Sequence, residues 1–236
     1  MINISIKNRS DKEEIMDDFD LQGQDLQMVL KDIDKVNNRL GGHHITLKGL
    51  KNLCASSTQK TFTLADIGCG SGDTLRVISD WAKTQDFELK LYGIDANAHI
   101  IEQAKTLSKD HPDIEYLPLN IFSNEFKNHQ FDIISCCLTL HHFKDKDILK
   151  LLPQLYQQVK IGLLINDLHR NRLAYVLFKL YSSLFMKSKI AKHDGAVSIL
   201  RSFKKQDLQH YTNAINPNSF DINWCWAFRY LWLLKK

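Results

Sequence analysis

The chain is short of several things, and each shortage excludes something. Ten glycines and four prolines in 236 residues are too few for a collagen-like, repeat-rich or disordered chain. No apolar run approaches the 18 or so residues that a bilayer crossing takes, so no transmembrane segment is expected. Residues 1–14 carry no apolar stretch of the secretory kind, which predicts a cytoplasmic protein. Charge of one sign is also lacking: 31 basic residues stand against 27 acidic ones, a balance that demands neither nucleic acid nor anionic lipid as a partner. Five cysteines, Cys54, Cys69, Cys136, Cys137 and Cys225, are odd in number and form no C-x-x-C pair; they read as buried thiols in a reducing compartment. No His, Cys or carboxylate set has metal-ligand spacing, so no structural zinc is expected, while an added magnesium stays open.

What is present is an ordinary folding composition, 44% apolar and 25% charged, with length enough for one α/β core. Leu26, Val29, Leu30, Ile33, Val36 and Leu40 recur at helical spacing and Gly41-Gly42 follows as a stop. A shorter helix is expected over Ile45, Leu47, Leu50 and Leu53. Residues 1–60 therefore read as an N-terminal helical appendage and residues 61–236 as the main domain. From Phe62 onward the period switches repeatedly. Strand-like runs at 62–67, 89–94, 114–119, 131–136 and 161–165 alternate with helical stretches at 73–83, 98–108 and 146–159, the last interrupted or kinked at Pro153. This order predicts an α/β fold: a Rossmann-like, doubly wound, mostly parallel sheet. Residues 169–213 read as a helical insert before the last strands. Within it, the run from Leu173 to Met186 is apolar almost all round and flanked by basic residues, which suggests a lid over an apolar acceptor. Residues 220–234, rich in aromatics, read as one or two final strands.

The segment Thr63-Leu-Ala-Asp-Ile-Gly-Cys-Gly-Ser-Gly-Asp73 is a buried strand, a glycine turn and a helix start. Gly68, Gly70 and Gly72, with Cys69 between them, let the backbone approach a ligand closely. The spacing is G-x-G-x-G, where a dinucleotide site wants G-x-G-x-x-G. Asp66 stands two residues before the first glycine; it would repel a pyrophosphate and suits a ligand with an ammonium group. One β-α-β unit later Asp95, followed by Ala96, ends the second strand, where its carboxylate can accept both ribose hydroxyls. Together these features point to S-adenosylmethionine.

Through DIGCGSGD, GIDAN, PLNIF and FDIISCCLTLHHF in this order, the chain resembles class I S-adenosylmethionine-dependent methyltransferases over about residues 62–166. The resemblance implies that Asp66 holds the methionine part and Asp95 the ribose. It further implies that Asn120 and Ile121 meet the adenine and that Cys137 and Leu138 flank the methionine. Asn120 stands where many relatives carry Asp. The segments MDDFD, NNRLGGHH, INDLHRN and HDGAVSILRSF are similar to bacterial small-molecule methyltransferases found near polyketide biosynthesis, which implies a place in secondary metabolism and a substrate-selecting role for the helical inserts.

Methyl transfer needs alignment above all, and a base helps where the acceptor is a phenol, enol or hydroxyl. His142 and His169 follow the fourth and fifth strands, where an open sheet places ligands, and are the candidate bases. His141 reads as a wall residue and His43-His44 as a surface pair. Arg170, His193 and Arg201 are candidate substrate contacts, the arginines as carboxylate clamps. The expected reaction is methylation of oxygen or carbon on an apolar or aromatic small molecule, polyketide-, phenol- or quinone-like. A macromolecular methyltransferase and a non-catalytic cofactor-binding subunit are the alternatives.

Overall fold

The computed structural model describes residues 5–18, 20–55 and 57–236. Seven strands make one sheet: β1 (Thr61–Ile67), β2 (Glu88–Asp95), β3 (Ile114–Pro118), β4 (Phe131–Cys137), β5 (Val159–Leu168), β6 (Ser219–Cys225) and β7 (Arg229–Lys235). Their order is β3-β2-β1-β4-β5-β7-β6. β1 to β5 pair in parallel, and β7 runs antiparallel between β5 and β6. The sheet is thus the expected doubly wound one, closed by an aromatic-rich hairpin. Strand order reverses between β1 and β4, which opens a crevice at their carboxyl ends. There Asp66 lies level with Ser135 of β4.

Residues of β1, β4 and β5 read as near-continuous apolar runs because helices cover both faces of the sheet. On one face lie α2 (Gly42–Ala55), α3 (Asp73–Ala82) and α4 (Ala98–Leu107), through Leu50, Leu53, Leu75, Ile78 and Ile101. The other face carries the short α5 (Asn124–Lys127), α6 (Asp145–Gln158) and α9 (Lys205–Ile215), through Phe126, Leu152, Leu155, Leu208 and Tyr211. The remaining helices, α1 (Gly23–Arg39), α7 (Arg172–Phe185) and α8 (Lys189–Arg201), stand over the crevice. The 169–213 segment therefore divides: α7 and α8 face the crevice, whereas α9 packs on α6 in the main core.

Several local expectations are revised. Helix α6 runs without interruption through Pro153, because Ile148, Leu151, Leu152 and Leu155 bury a full apolar face whose packing outweighs one missing backbone bond. Of the Gly41-Gly42 stop, only Gly41, at φ +74°, makes the turn; Gly42 already begins α2. His43 is not a surface residue: its Nε2 lies 2.8 Å from Asp73 Oδ2, tying α2 to the start of α3.

Residues 8–18 cross the crevice as a strap. Arg9 donates to the carbonyls of His141 and Phe143 at 2.9 Å each and pairs with Asp145 at 2.6 Å. The amides of Ile15 and Met16 donate to the two Asp194 carboxylate oxygens at 2.9 Å each. This fixes the strap between the loop after β4 and helix α8.

Candidate active site

The turn after β1 has φ of +65°, +55° and +74° at Gly68, Gly70 and Gly72, the left-handed region that side chains resist. A Cβ at Gly68 would sit 2.4 Å from Thr139, and one at Gly72 would sit 2.0 Å from the Tyr116 hydroxyl. At Gly70 a Cβ would meet nothing within 4 Å; that glycine borders the cavity. Asp95 accepts from the amides of Gly70, at 3.3 Å, and Asn97, at 3.0 Å. Asp66 accepts from the Ser135 hydroxyl at 2.6 Å.

Three carboxyls at this end are under-compensated. Burial pushes Asp66 up to about 7, with the charges of Asp73 and Asp95 adding to it against the Ser135 bond. Burial also raises Asp95, more than its backbone hydrogen bonds lower it. Asp34 of α1 is raised by burial and by Asp73, despite accepting from the Ser71 hydroxyl at 2.6 Å. Asp73 itself is lowered, the His43 and Asn37 contacts outweighing burial. Arg76, 3.5 Å from Asp34, answers only part of this charge, and a ligand with sulfonium and ammonium charges supplies the rest. The open glycine turn and these acids fit S-adenosylmethionine. Arg229 complements them: its guanidinium is buried, donates to Asn37 Oδ1 at 2.9 Å, and has no carboxylate in ion-pair distance among the described residues.

The cavity extends from this end beneath α1, α7, α8 and the strap, with a volume of about 630 Å³, within the roughly 300–1,000 Å³ usual for ligand sites. Its far walls are apolar, including Val36, Leu177, Phe178, Tyr181, Met186 and Phe143. At its roof the strap brings Glu14 beside the two histidines that follow β4. His141 Nδ1 lies 2.7 Å from Asp167 Oδ1, and His142 Nδ1 lies 2.6 Å from Asp17 Oδ1. The rings of His141 and His142 stack with centroids 4.5 Å apart. Burial works against a charged His142, but the Glu14 and Asp17 carboxylates outweigh it and raise its pKa. Asp17 is held below its usual range because the His142 and Arg201 contacts outweigh its burial. Asp167 is lowered likewise, by His141 against burial.

Of the residues singled out in the sequence, Asp66, Gly68, Cys69, Gly70, Asp95, Ala96, Asn120, Ile121, Cys137, Leu138 and His142 all line this one cavity. Gly72 lies behind it, against Tyr116. The Asn120 side chain accepts from the Phe122 amide at 2.9 Å and so closes its own turn.

Four candidates are directed elsewhere. His169 points away from the cavity; its Nδ1 accepts from the Trp224 indole at 3.2 Å, and its ring meets Tyr230 edge-on. Burial, then the charges of Arg170 and Lys204, lower its pKa. Arg170, 2% exposed, pairs with Asp207 at 3.0 Å and donates to the Ser202 carbonyl, so its guanidinium is used within the fold and clamps no ligand. Arg201 donates to the His141 and His142 carbonyls and pairs with Asp17 at 2.6 Å, which makes it a fastener of the strap. His193 is half exposed outside the cavity, 2.8 Å from Asp194 Oδ1. Conversely, Glu14, Asp17, Asp34 and Arg229 border the cavity without having been singled out. Only MDDFD hinted at any of them.

Residues 64–162 match the family model described as a methyltransferase domain. A comparison with curated proteins gives no match. Among solved structures, the fold is similar to that of the plantazolicin methyltransferase BpumL in complex with SAH, at 17% identity and a TM-score of 0.63, covering 89% of this chain and 95% of that one. It is also similar to magnesium protoporphyrin IX methyltransferase (ChlM) from Synechocystis PCC 6803 with bound SAM, at 14% identity and a TM-score of 0.54, covering 92% and 86%. At these identities the likeness is one of fold. The family match runs from the middle of β1 past both histidines and takes in the whole glycine turn and its acids, so residues 64–162 are similar in sequence to a methyltransferase domain, and the fold around them is similar to that of methyltransferases solved with SAM or SAH.

Proposed function

We propose that the enzyme methylates an oxygen or an acidic carbon of an apolar, aromatic small molecule, of the phenol, enol or quinol kind. The observation that carries this is the cavity's division: acids at the strand ends, greasy walls beyond them, and one polar cluster at the roof. The walls suit an apolar body, and Glu14 with His142 suits one ionisable group on it. A cavity of about 630 Å³ roofed by α7, α8 and the strap is of a size to take a small molecule whole, which favours a metabolite over nucleic acid or protein.

S-adenosylmethionine supplies the methyl group as an already activated electrophile. The chain's own part is to orient and dry the acceptor. Asp66 and Asp34 answer the cofactor's positive charges, Asp95 the ribose hydroxyls, and Arg229 the methionine carboxylate. The adenine lies by Asn120 and Ile121, and Cys137 and Leu138 border the methionine. His142, oriented from behind by Asp17, meets the acceptor's hydroxyl and promotes loss of its proton. Helix α7 shields the reacting pair from water through Leu177, Phe178 and Tyr181. Unpaired cysteines, all five of them free, support a cytoplasmic site of action.

Calorimetry with S-adenosylmethionine, followed by transfer of its labelled methyl group to a panel of phenolic and enolic acceptors, tests the reading. His142→Ala is expected to bind the cofactor as before and to turn over more slowly. Turnover by His142→Ala equal to the parent's removes that residue from the chemistry.

A further inference from the structure

At the roof of the cavity, two atoms that both carry lone pairs face each other. Glu14 Oε1 and His141 Nε2 are 3.6 Å apart. Both are buried, and neither has a hydrogen-bond partner among the described residues. Asp167 fixes the tautomer: a carboxylate only accepts, so the ring proton of His141 sits on Nδ1, 2.7 Å from Asp167 Oδ1, and Nε2 keeps its lone pair. His142 repeats the pattern, with Nδ1 on Asp17 and Nε2 3.8 Å from Glu14 Oε2. Two imidazole nitrogens and one carboxylate thus converge on one space, with one ligand atom of each residue lying within 4.8 Å of the others. A carboxylate stands behind each imidazole, the arrangement that orients histidines toward metal ions.

A proton shared between Glu14 and His141 does not meet the need, since 3.6 Å is too long for a hydrogen bond. A metal ion does. Ligands at about 2.0–2.2 Å from a tetrahedral ion stand roughly 3.3–3.6 Å from each other, near the 3.6 Å and 3.8 Å that separate the Glu14 carboxylate from the two imidazole nitrogens. Charge agrees. The carboxylates of Glu14, Asp17 and Asp167 are answered by one guanidinium, that of Arg201, at 2.6 Å from Asp17 and 3.8 Å from Glu14, which leaves two negative charges for a divalent ion. We infer that Glu14, His141 and His142 bind one divalent cation of the zinc class, with a further coordination position open to the cavity. Two nitrogen donors favour such an ion over magnesium, which takes oxygen.

The consequence for the reaction rests on the proposed function. The open position receives the acceptor's oxygen, and coordination lets its proton leave to solvent. The oxygen–methyl bond then forms as the methyl–sulfur bond breaks, with no oxidant or reductant required. His142 acts in that case as a ligand through Nε2.

The test uses the whole chain, stripped with a chelator and titrated with cobalt(II) alone as a coloured probe, without cofactor or acceptor. One equivalent per chain is expected, with a visible absorption band that zinc(II) abolishes by displacement. Glu14→Gln should weaken uptake tenfold or more. Asp167→Asn, which removes the carboxylate behind His141 and its charge but no ligand atom, should weaken it to a smaller degree, and His210→Ala, exposed on α9, should leave it unchanged. Calorimetry with S-adenosylmethionine on the same samples shows that each variant is folded. Wild type that binds the cofactor but no cobalt overturns the cation site and leaves methyl transfer standing, as does identical cobalt uptake by wild type and Glu14→Gln. Cobalt uptake without cofactor binding overturns the methyl-transfer role instead.

Discussion

At the strand ends of the cavity the carboxyls of Asp34, Asp66 and Asp95 are all raised, whereas at its roof those of Asp17 and Asp167 are held low. Burial acts on both groups in the same direction. What separates them is partners: Asp66 and Asp95 have a hydroxyl, amides and neighbouring acids, and Asp34 has a hydroxyl and a guanidinium only at 3.5 Å, while the roof acids have imidazoles at 2.6–2.7 Å and, for Asp17, a guanidinium at 2.6 Å. The floor is built to be completed by a cationic cofactor. The roof acids instead hold two histidines in place.

The sharpest way to break this contrast is Asp66→Asn. It should abolish measurable cofactor binding by calorimetry while making the cofactor-free chain more stable. The carboxyl titrates at about 7 in the folded chain against an ordinary value of 3.8, so the native form holds its proton longer, and the group takes stability away as pH rises from about 4 to 7. Neutralising it should therefore raise stability at pH 8 by about 1–3 kcal/mol and have little effect at pH 4, as read by thermal melts. An unchanged or lowered melting point at pH 8 contradicts the picture of an uncompensated acid.

Asp95→Ala should weaken the cofactor by about 1–3 kcal/mol through lost charge-assisted bonds, measured by the same calorimetry. In the intact chain, affinity for S-adenosylmethionine should climb as pH rises through 6 to 7 and level off above the Asp66 value of about 7, because the bound cation favours the ionised acid; proton release on binding checks the sign. Roof changes should leave that constant alone. Asp17→Asn removes the group that orients His142 and should lower turnover roughly tenfold with cofactor affinity intact. Smallest of all, Leu184→Ser, on the exposed outer side of α7, should alter stability by no more than about 0.5 kcal/mol.

The same contrast explains what could be read beforehand. The floor is local: Asp66 and the glycines lie within seven residues, and Asp95 ends the next strand. Strand alternation, turn residues and acid spacing therefore display it directly. The roof is assembled across the chain, with Asp17 meeting His142 and Arg201 over separations of 125 and 184 residues and Glu14 reaching the same segments. No spacing rule reaches that far, so the sequence shows no metal-like cluster although the fold creates one. Arg170 and Arg201 mislead for a related reason. A basic residue beside a strand end suggests an anion clamp, yet here each is taken up by backbone carbonyls and an acid from a distant segment. Pro153 failed as a breaker because tertiary burial of α6 is stronger than local preference.

The strap has a practical bearing on how this enzyme is handled. Residues 8–18 precede the first long helix and are tied to the loop after β4, so a designer choosing a compact catalytic core would be inclined to discard them. Such a trimmed protein would keep its glycine turn and floor acids and would still register as healthy in a cofactor-binding screen, while lacking Glu14 and the clasp that Arg9 and Arg201 close around it. Affinity for the nucleotide is therefore no certificate of competence here, and shortened or front-fused versions have to be judged by what they do to the acceptor.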